Sequence, residues 1–425
     1  MHTLAMNTRP RRRLHTFDVA PNLGSTKLPA AIIFAVLTLT VLALLLLFAL
    51  PAQAQTEAAL YNFTGGSDGA TPESRLTPDT AGNFYGATEG GGLGYGTVFE
   101  LSPNGSGGWN ETVLYSFTGG ADGANPAYAY VIFDSVGNLY GTTALGGTGY
   151  GVVFELSPSG TGWTEKVLYN FCSQFLCLDG FGPMNGLVRD SAGNLYGTTA
   201  ANNPYIGGVV FELSPSAGGW TEQVIYSPET ESAIPGLTMD AAGNIFGVMG
   251  SSIFELYPNG SGGWNRSVIH SFTNPKDGSD PIGPPVLDQN GNLYGTTAGG
   301  GGKGYGTVYK LSPGTNGKWK AKVLHNFTAY PKDGSEPLAG VVLDAAGNIY
   351  GSTSLGGELS AGTVFELVAP VGTGKSYKEK ILWIFNNTDG KQPYGSLVLD
   401  SAGNFYGTTS NGGSSGYGVV FELTP

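Results

Sequence analysis

The chain has 425 residues, with 20 Lys and Arg against 32 Asp and Glu, 12% charged residues, 12% aromatics, 70 glycines and two cysteines. So much glycine without a three-residue period excludes collagen, and the aromatic load excludes a disordered chain. A helical bundle would suffer about 1 kcal/mol for each interior Gly relative to Ala, whereas hairpin turns use Gly for positive φ, so an all-β fold is expected.

Arg9, Arg11, Arg12, Arg13 and Lys27 precede an apolar run from Ala30 to Leu50, followed by Pro51-Ala52-Gln53-Ala54-Gln55. A basic segment, an apolar core and an A-x-A site make residues 1–54 a secretory signal peptide cleaved after Ala54, with an uncleaved membrane anchor as the alternative because the apolar run is long enough to span a bilayer. No Cys follows it to take a lipid. Residues 55–425 would then be a single secreted, periplasmic or cell-surface domain with 15 basic and 31 acidic residues, a net charge of −16. Such a surface excludes nucleic acid as a partner.

From there the motif G-N-[L/F/I]-[Y/F]-G recurs seven times, with its Asn at 83, 138, 194, 244, 292, 348 and 404 and spacings of 55, 56, 50, 48, 56 and 56 residues. Around each copy four short runs rich in Val, Leu, Tyr, Phe and Thr, separated by Gly/Asp/Asn/Pro turns, read as four strands. Four strands per period of this length predict a seven-bladed β-propeller. The first run, Ala59 to Phe63, matches the outermost strand of a blade, and the last, Val419 to Leu423, matches the third. The N-terminal strand is therefore expected to pair with the C-terminal blade and close the ring, leaving no free edge there.

The repeated D-x-x-G-N-L-Y-G-T-T…G-G…G-Y-G-T-V-F-E-L resembles the GloVer (Gloeo_Verruco) tandem repeat of exported bacterial proteins, and its first hairpin resembles that of NHL-type propeller repeats. The resemblance spans Ala58 to Pro425. It implies export and, in many members, a C-terminal anchor, which this chain's ending inside a strand motif does not match. It implies no activity.

Two recurring acidic positions stand out. Asp79, Asp134, Asp190, Asp240, Asp288, Asp344 and Asp400 each precede the Gly of the first hairpin by three residues and are expected to cap that turn. A second set, Asp68, Asp122, Asp179, Asp277, Asp333 and Asp389, opens a D-G-x-x-P loop between the outer strand of one unit and the inner strand of the next. Unit 4 breaks it, with Glu231 and Ser232 before Pro235. Propeller geometry places these loops on the same face as Tyr95, Tyr150, Tyr305 and Tyr417, a combination suited to a sugar or a hydrated cation such as calcium. Tight Asp-Gly turns with packed tyrosines are the plainer reading. Unit 4 also has a shortened connection, Val248 to Ser252, so a notch is expected there. Cys172 and Cys177 suit a local disulfide in an exported chain.

His270 and His325 occupy a position filled by Tyr in other units and read as packing residues, so no histidine-based catalytic or metal site is expected. Segments entering the inner strands, such as PAYAYVIFD, PMNGLVRD, PIGPPVLD and PLAGVVLD, are apolar apart from Arg189. A non-catalytic binding or scaffold propeller, for glycans, cations or a protein partner, is therefore favoured. The alternative is a carbohydrate-active enzyme with carboxylates in the central tunnel. No cofactor is called for.

Overall fold

The structure, a computed structural model, describes residues 55–424 apart from 201–206, 229–235, 330, 373 and 375. The leader and the unit 4 loop break at Glu231, Ser232 and Pro235 lie outside the described residues. Seven four-stranded antiparallel sheets form the blades of a propeller. Blade 1 consists of Thr77–Pro78, Phe84–Thr88, Thr97–Pro103 and Trp109–Ser116, labelled a to d outward from the axis. Blade 2 is Ile132–Phe133, Leu139–Thr143, Val152–Ser159 and Gly162–Asn170; blade 3 is Val188–Arg189, Leu195–Thr198, Val210–Ser216 and Gly219–Tyr226. Blade 4 is Thr238–Met239, Ile245–Met249, Ser252–Pro258 and Trp264–Ser271; blade 5 is Ser279–Leu287, Leu293–Gly299, Thr307–Pro313 and Trp319–Asn326. Blade 6 is Val342–Leu343, Ile349–Thr353, Thr363–Val368 and Lys378–Ile384.

Blade 7 takes Val398–Leu399, Phe405–Thr409 and Val419–Thr424 from the C-terminus and Thr56–Asn62 from the N-terminus. Their ladder runs from Thr56 opposite Thr424 to Asn62 opposite Val419. Closure thus falls where the incomplete first and last units require it.

Strand b is buried along its length because both its faces meet neighbouring blades, which explains its run of Leu, Tyr, Gly and Thr. Its central Gly is a matter of space, not of φ. A Cβ on Gly86 would lie 2.6 Å from the ring of Phe99 in strand c, and one on Gly407 2.6 Å from Phe421. The Phe that follows strand d packs edge-on against the strand c ring of the next blade, as in Phe63–Phe99 and Phe117–Phe154, both 5.2 Å between centroids. The core is therefore a ring of seven interblade clusters. Strand a is two residues long in six blades, where Pro and Gly flank it, and threonines tie its neighbours together: Thr408 Oγ1 donates to the Ser74 carbonyl and Thr296 Oγ1 to that of Ala339. Blade 4 has the expected short connection, with Met249 paired to Ser252 across a two-residue turn.

Candidate functional site

The D-G-x-x-P loops are built around their aspartates. Asp122 Oδ2 accepts hydrogen bonds from the Thr118 amide at 2.8 Å and the Tyr115 hydroxyl at 3.0 Å, while Oδ1 accepts from the Thr118 hydroxyl at 2.5 Å. Asp68 repeats this with Thr64 and Tyr61, and Asp179 with Ser173 and Tyr169. Asp389 accepts from the Trp383 indole and the Asn386 amide. Asp277 faces His270 at 3.4 Å and Asp333 faces His325 at 3.8 Å. The Tyr or Trp near the end of strand d is therefore an aromatic donor to the loop that follows it, and where His stands there its Nε2 faces the same aspartate. This role, beyond packing, explains why these three residue types exchange there. Burial opposes ionisation of Asp68 and Asp122, yet the donors outweigh it and hold both carboxyls below the usual range.

The next blade adds a glutamate from its strand d. Burial, then the charge of the loop aspartate, pushes Glu57, Glu111, Glu165 and Glu222 up to about 7, beside Asp389, Asp68, Asp122 and Asp179 respectively. At one interface His325 Nε2 lies 3.1 Å from Glu379 Oε1. Donor atoms of His325, Asp333 and Glu379 come within 4.8 Å of one another, the geometry that a metal ion would need. Burial alone would lower His325, but Asp333 and Glu379 beside it push it up to about 9.

Tyr95, Tyr150, Tyr305 and Tyr417 stand 44–47% exposed on the face carrying these loops. Their carbonyls accept amides of the following loop, Asn125 to Tyr95 at 2.9 Å and Thr71 to Tyr417 at 3.0 Å among them. The structure thus brings each tyrosine to one aspartate loop: Tyr95 to that of Asp122, Tyr150 to Asp179, Tyr305 to Asp333 and Tyr417 to Asp68. In blade 6 Ala361 takes the tyrosine's place beside the Asp389 loop. Cys172 and Cys177 form a disulfide in the Asp179 loop, which carries the exposed Phe175, Leu176 and Leu178.

On the opposite face, Asp134 Oδ1 accepts the amides of Val136 and Asn138, both at 2.9 Å, and Oδ2 accepts the Asn138 side chain and the Tyr140 hydroxyl. Burial would raise Asp134, but these bonds outweigh it and lower its pKa. The same bonds to the asparagine recur at Asp79, Asp190, Asp240, Asp288, Asp344 and Asp400.

The seven-fold pattern breaks at the axis. Where the D-G-x-x-P loops turn inward, a cavity of about 350 Å³ opens between the segments that lead into strands a. One side carries Glu73 and Arg75 from blade 1, Tyr128 and Tyr130 from blade 2 and Tyr394 from blade 7; the other carries Ile282, Pro284, Leu338 and Ala339 from blades 5 and 6. Glu73 is 8% exposed and accepts a hydrogen bond from Tyr128. Burial, then the charge of Glu89, pushes it up to about 7. Tyr128, at φ +56°, meets Tyr394 edge-on at 6.2 Å, and the Arg75 guanidinium lies 5.9 Å from the Tyr130 ring centroid. No described carboxylate forms an ion pair with Arg75. Arg189, the charge that stands out in sequence, points instead to its own hairpin at Gly193. The sequence signal for the charges lining this cavity was the unit 1 segment P-E-S-R-L, with two charges where the other units carry none.

The Gloeobacter/Verrucomicrobia repeat model matches residues 46–252 and 249–425, so the chain belongs to that family. No curated protein matches it. Among solved structures it is similar to a gluconolactonase from Xanthomonas campestris, at 13% identity and TM-score 0.41 over 72% of this chain and 87% of that one. A protein from Lactobacillus plantarum gives 12%, 0.49, 78% and 98%, and a luciferin-regenerating enzyme 13%, 0.44, 87% and 95%. Likenesses this distant bear on neither ligand nor activity.

Proposed function

We propose that this repeat propeller is an exported binding module whose ligand, a sugar or sugar acid, enters the axial cavity. The observation that carries the reading is the position of the departures from the repeat: charged and phenolic side chains gather on one wall of a single cavity and aliphatic ones on the other. A sugar ring has the matching character, an apolar C–H face and a hydroxyl edge, and Arg75 supplies the cation that a uronate would need. The rim aspartates are less suited to the role, since Asp68, Asp122, Asp179, Asp333 and Asp389 already accept loop hydrogen bonds. The catalytic alternative is supported by Glu73, a carboxyl in the cavity wall that burial and then the charge of Glu89 push up to about 7, the direction that a general acid in glycosidic bond cleavage requires.

A glycan array that includes uronate-containing polymers tests both. Arg75→Ala should lower binding to the best ligand at least tenfold, roughly 1.4 kcal/mol, with the melting temperature unchanged. Equal binding by parent and variant would remove the cavity from consideration. Release of reducing ends by the parent, lost in Glu73→Gln, would establish the enzyme instead.

A further inference from the structure

Six of the seven blades carry an aromatic residue at or beside the start of strand d, seated between that blade and the one before it. Trp109 packs by Phe84, with centroids 5.7 Å apart, and Phe84 in turn meets Tyr406 of blade 7 at 4.4 Å. Trp220 lies against Tyr140, Trp264 against Tyr196, and Trp163, Trp319 and Tyr377 occupy the equivalent clusters. In the ladder register Trp109 stands two residues before Glu111, the partner of Leu101; the residue two before Glu57, the partner of Leu423, is Gln55. In the seventh blade, whose strand d is Thr56–Asn62, that position therefore holds Gln55 and not an aromatic.

A cavity of about 650 Å³ lies at that place, with Gln55, Tyr350, Leu382, Leu399 and Phe405 in its wall. Tyr350 and Phe405 are 4.5 Å apart, as Tyr406 and Phe84 are beneath Trp109. The Gln55 Nε2 atom is buried there without a hydrogen-bond partner. We propose that this seam pocket binds a small planar aromatic molecule of indole size. The walls that take an indole from the chain itself at five interfaces are present at the seventh, where no described residue supplies the ring. Ring burial and edge or offset contacts with Tyr350 and Phe405 would hold the ligand, while the Gln55 side-chain oxygen would accept from a ring N–H. The site is separate from the axial cavity and independent of its occupant.

Titration calorimetry of indole into the full chain expressed with its own leader should give a saturable one-to-one isotherm. Gln55→Trp should weaken indole binding more than tenfold and raise the melting temperature by about 3 °C, because the chain then fills its own pocket. Trp109→Gln, which opens the same vacancy one interface away, should lower the melting temperature and add a second indole site. Failure of indole to saturate the parent, or indole binding to Gln55→Trp as tight as to the parent, would overturn the proposal. The Gln55→Trp comparison decides the matter if Trp109→Gln does not fold, and Arg75→Ala should leave indole binding unchanged.

Discussion

The rim and the axis of this propeller obey opposite rules. At the rim an aromatic residue, a loop aspartate and, at five interfaces, a glutamate of the next blade recur with little variation. His325 faces two carboxylates; next to it His270 faces Asp277 alone, and Ala321 replaces the glutamate. At the axis no position is kept: Glu73, Tyr128, Met184, Leu338 and Tyr394 are neighbours around one cavity. A residue that repeats seven times in a closed ring answers a need that every blade shares, which is to hold the next blade. A residue found once answers something that the ring as a whole does. Recurrence marked the aspartates as conspicuous in sequence, and in the structure most of them brace the loop or hairpin in which they sit.

The comparison can be broken most severely at closure. Removing residues 55–64 takes away the outer strand of blade 7 and Phe63, exposing the ladder edge of Val419–Thr424. The truncated chain should aggregate or lose its cooperative melting transition; a monomer with the parent's melting temperature in size-exclusion chromatography and calorimetry would show that the rim contacts do not hold the ring.

A smaller effect is expected from one hairpin clamp. Asp134→Ala strands the amides of Val136 and Asn138 and the Tyr140 hydroxyl, which should cost about 2–3 kcal/mol by denaturant unfolding. A cost near zero would mean that water replaces the carboxylate and the repeated aspartates are dispensable one at a time.

The smallest effect is a pH dependence that belongs to the rim. Glu57, Glu111, Glu165 and Glu222 titrate near 7 in the fold, above the ordinary value of 4.5, so the fold favours their protonated forms. The stability they contribute is complete below about pH 4.5 and is lost as pH rises through 7. The melting temperature should therefore fall by a few degrees between pH 5 and 8, and Glu111→Gln with Glu165→Gln should flatten that slope. An unchanged slope would place the titration elsewhere, with Glu73 as the next candidate.

The period, the four strands, their order and the closing pair were all legible in the chain, because blade structure depends on local patterning and turn chemistry that every copy restates. The hairpin aspartates were legible for the same reason: the Asp, Gly and Asn that make the turn lie within five residues. What no linear reading supplied was which charges meet. Glu111 reaches Asp68 and Glu379 reaches Asp333 across blade boundaries, more than 40 residues apart, and the axial cavity joins residues 73 and 394 from opposite ends of the chain. The glycine of strand b, which composition assigns to turns, turned out to admit a phenylalanine ring from the neighbouring strand. The seam pocket follows from closure, since blade 7 takes strand d from residues 56–62 and its other strands from residues 398–424, and only assembly of the ring shows that Gln55 stands where its counterparts are aromatic.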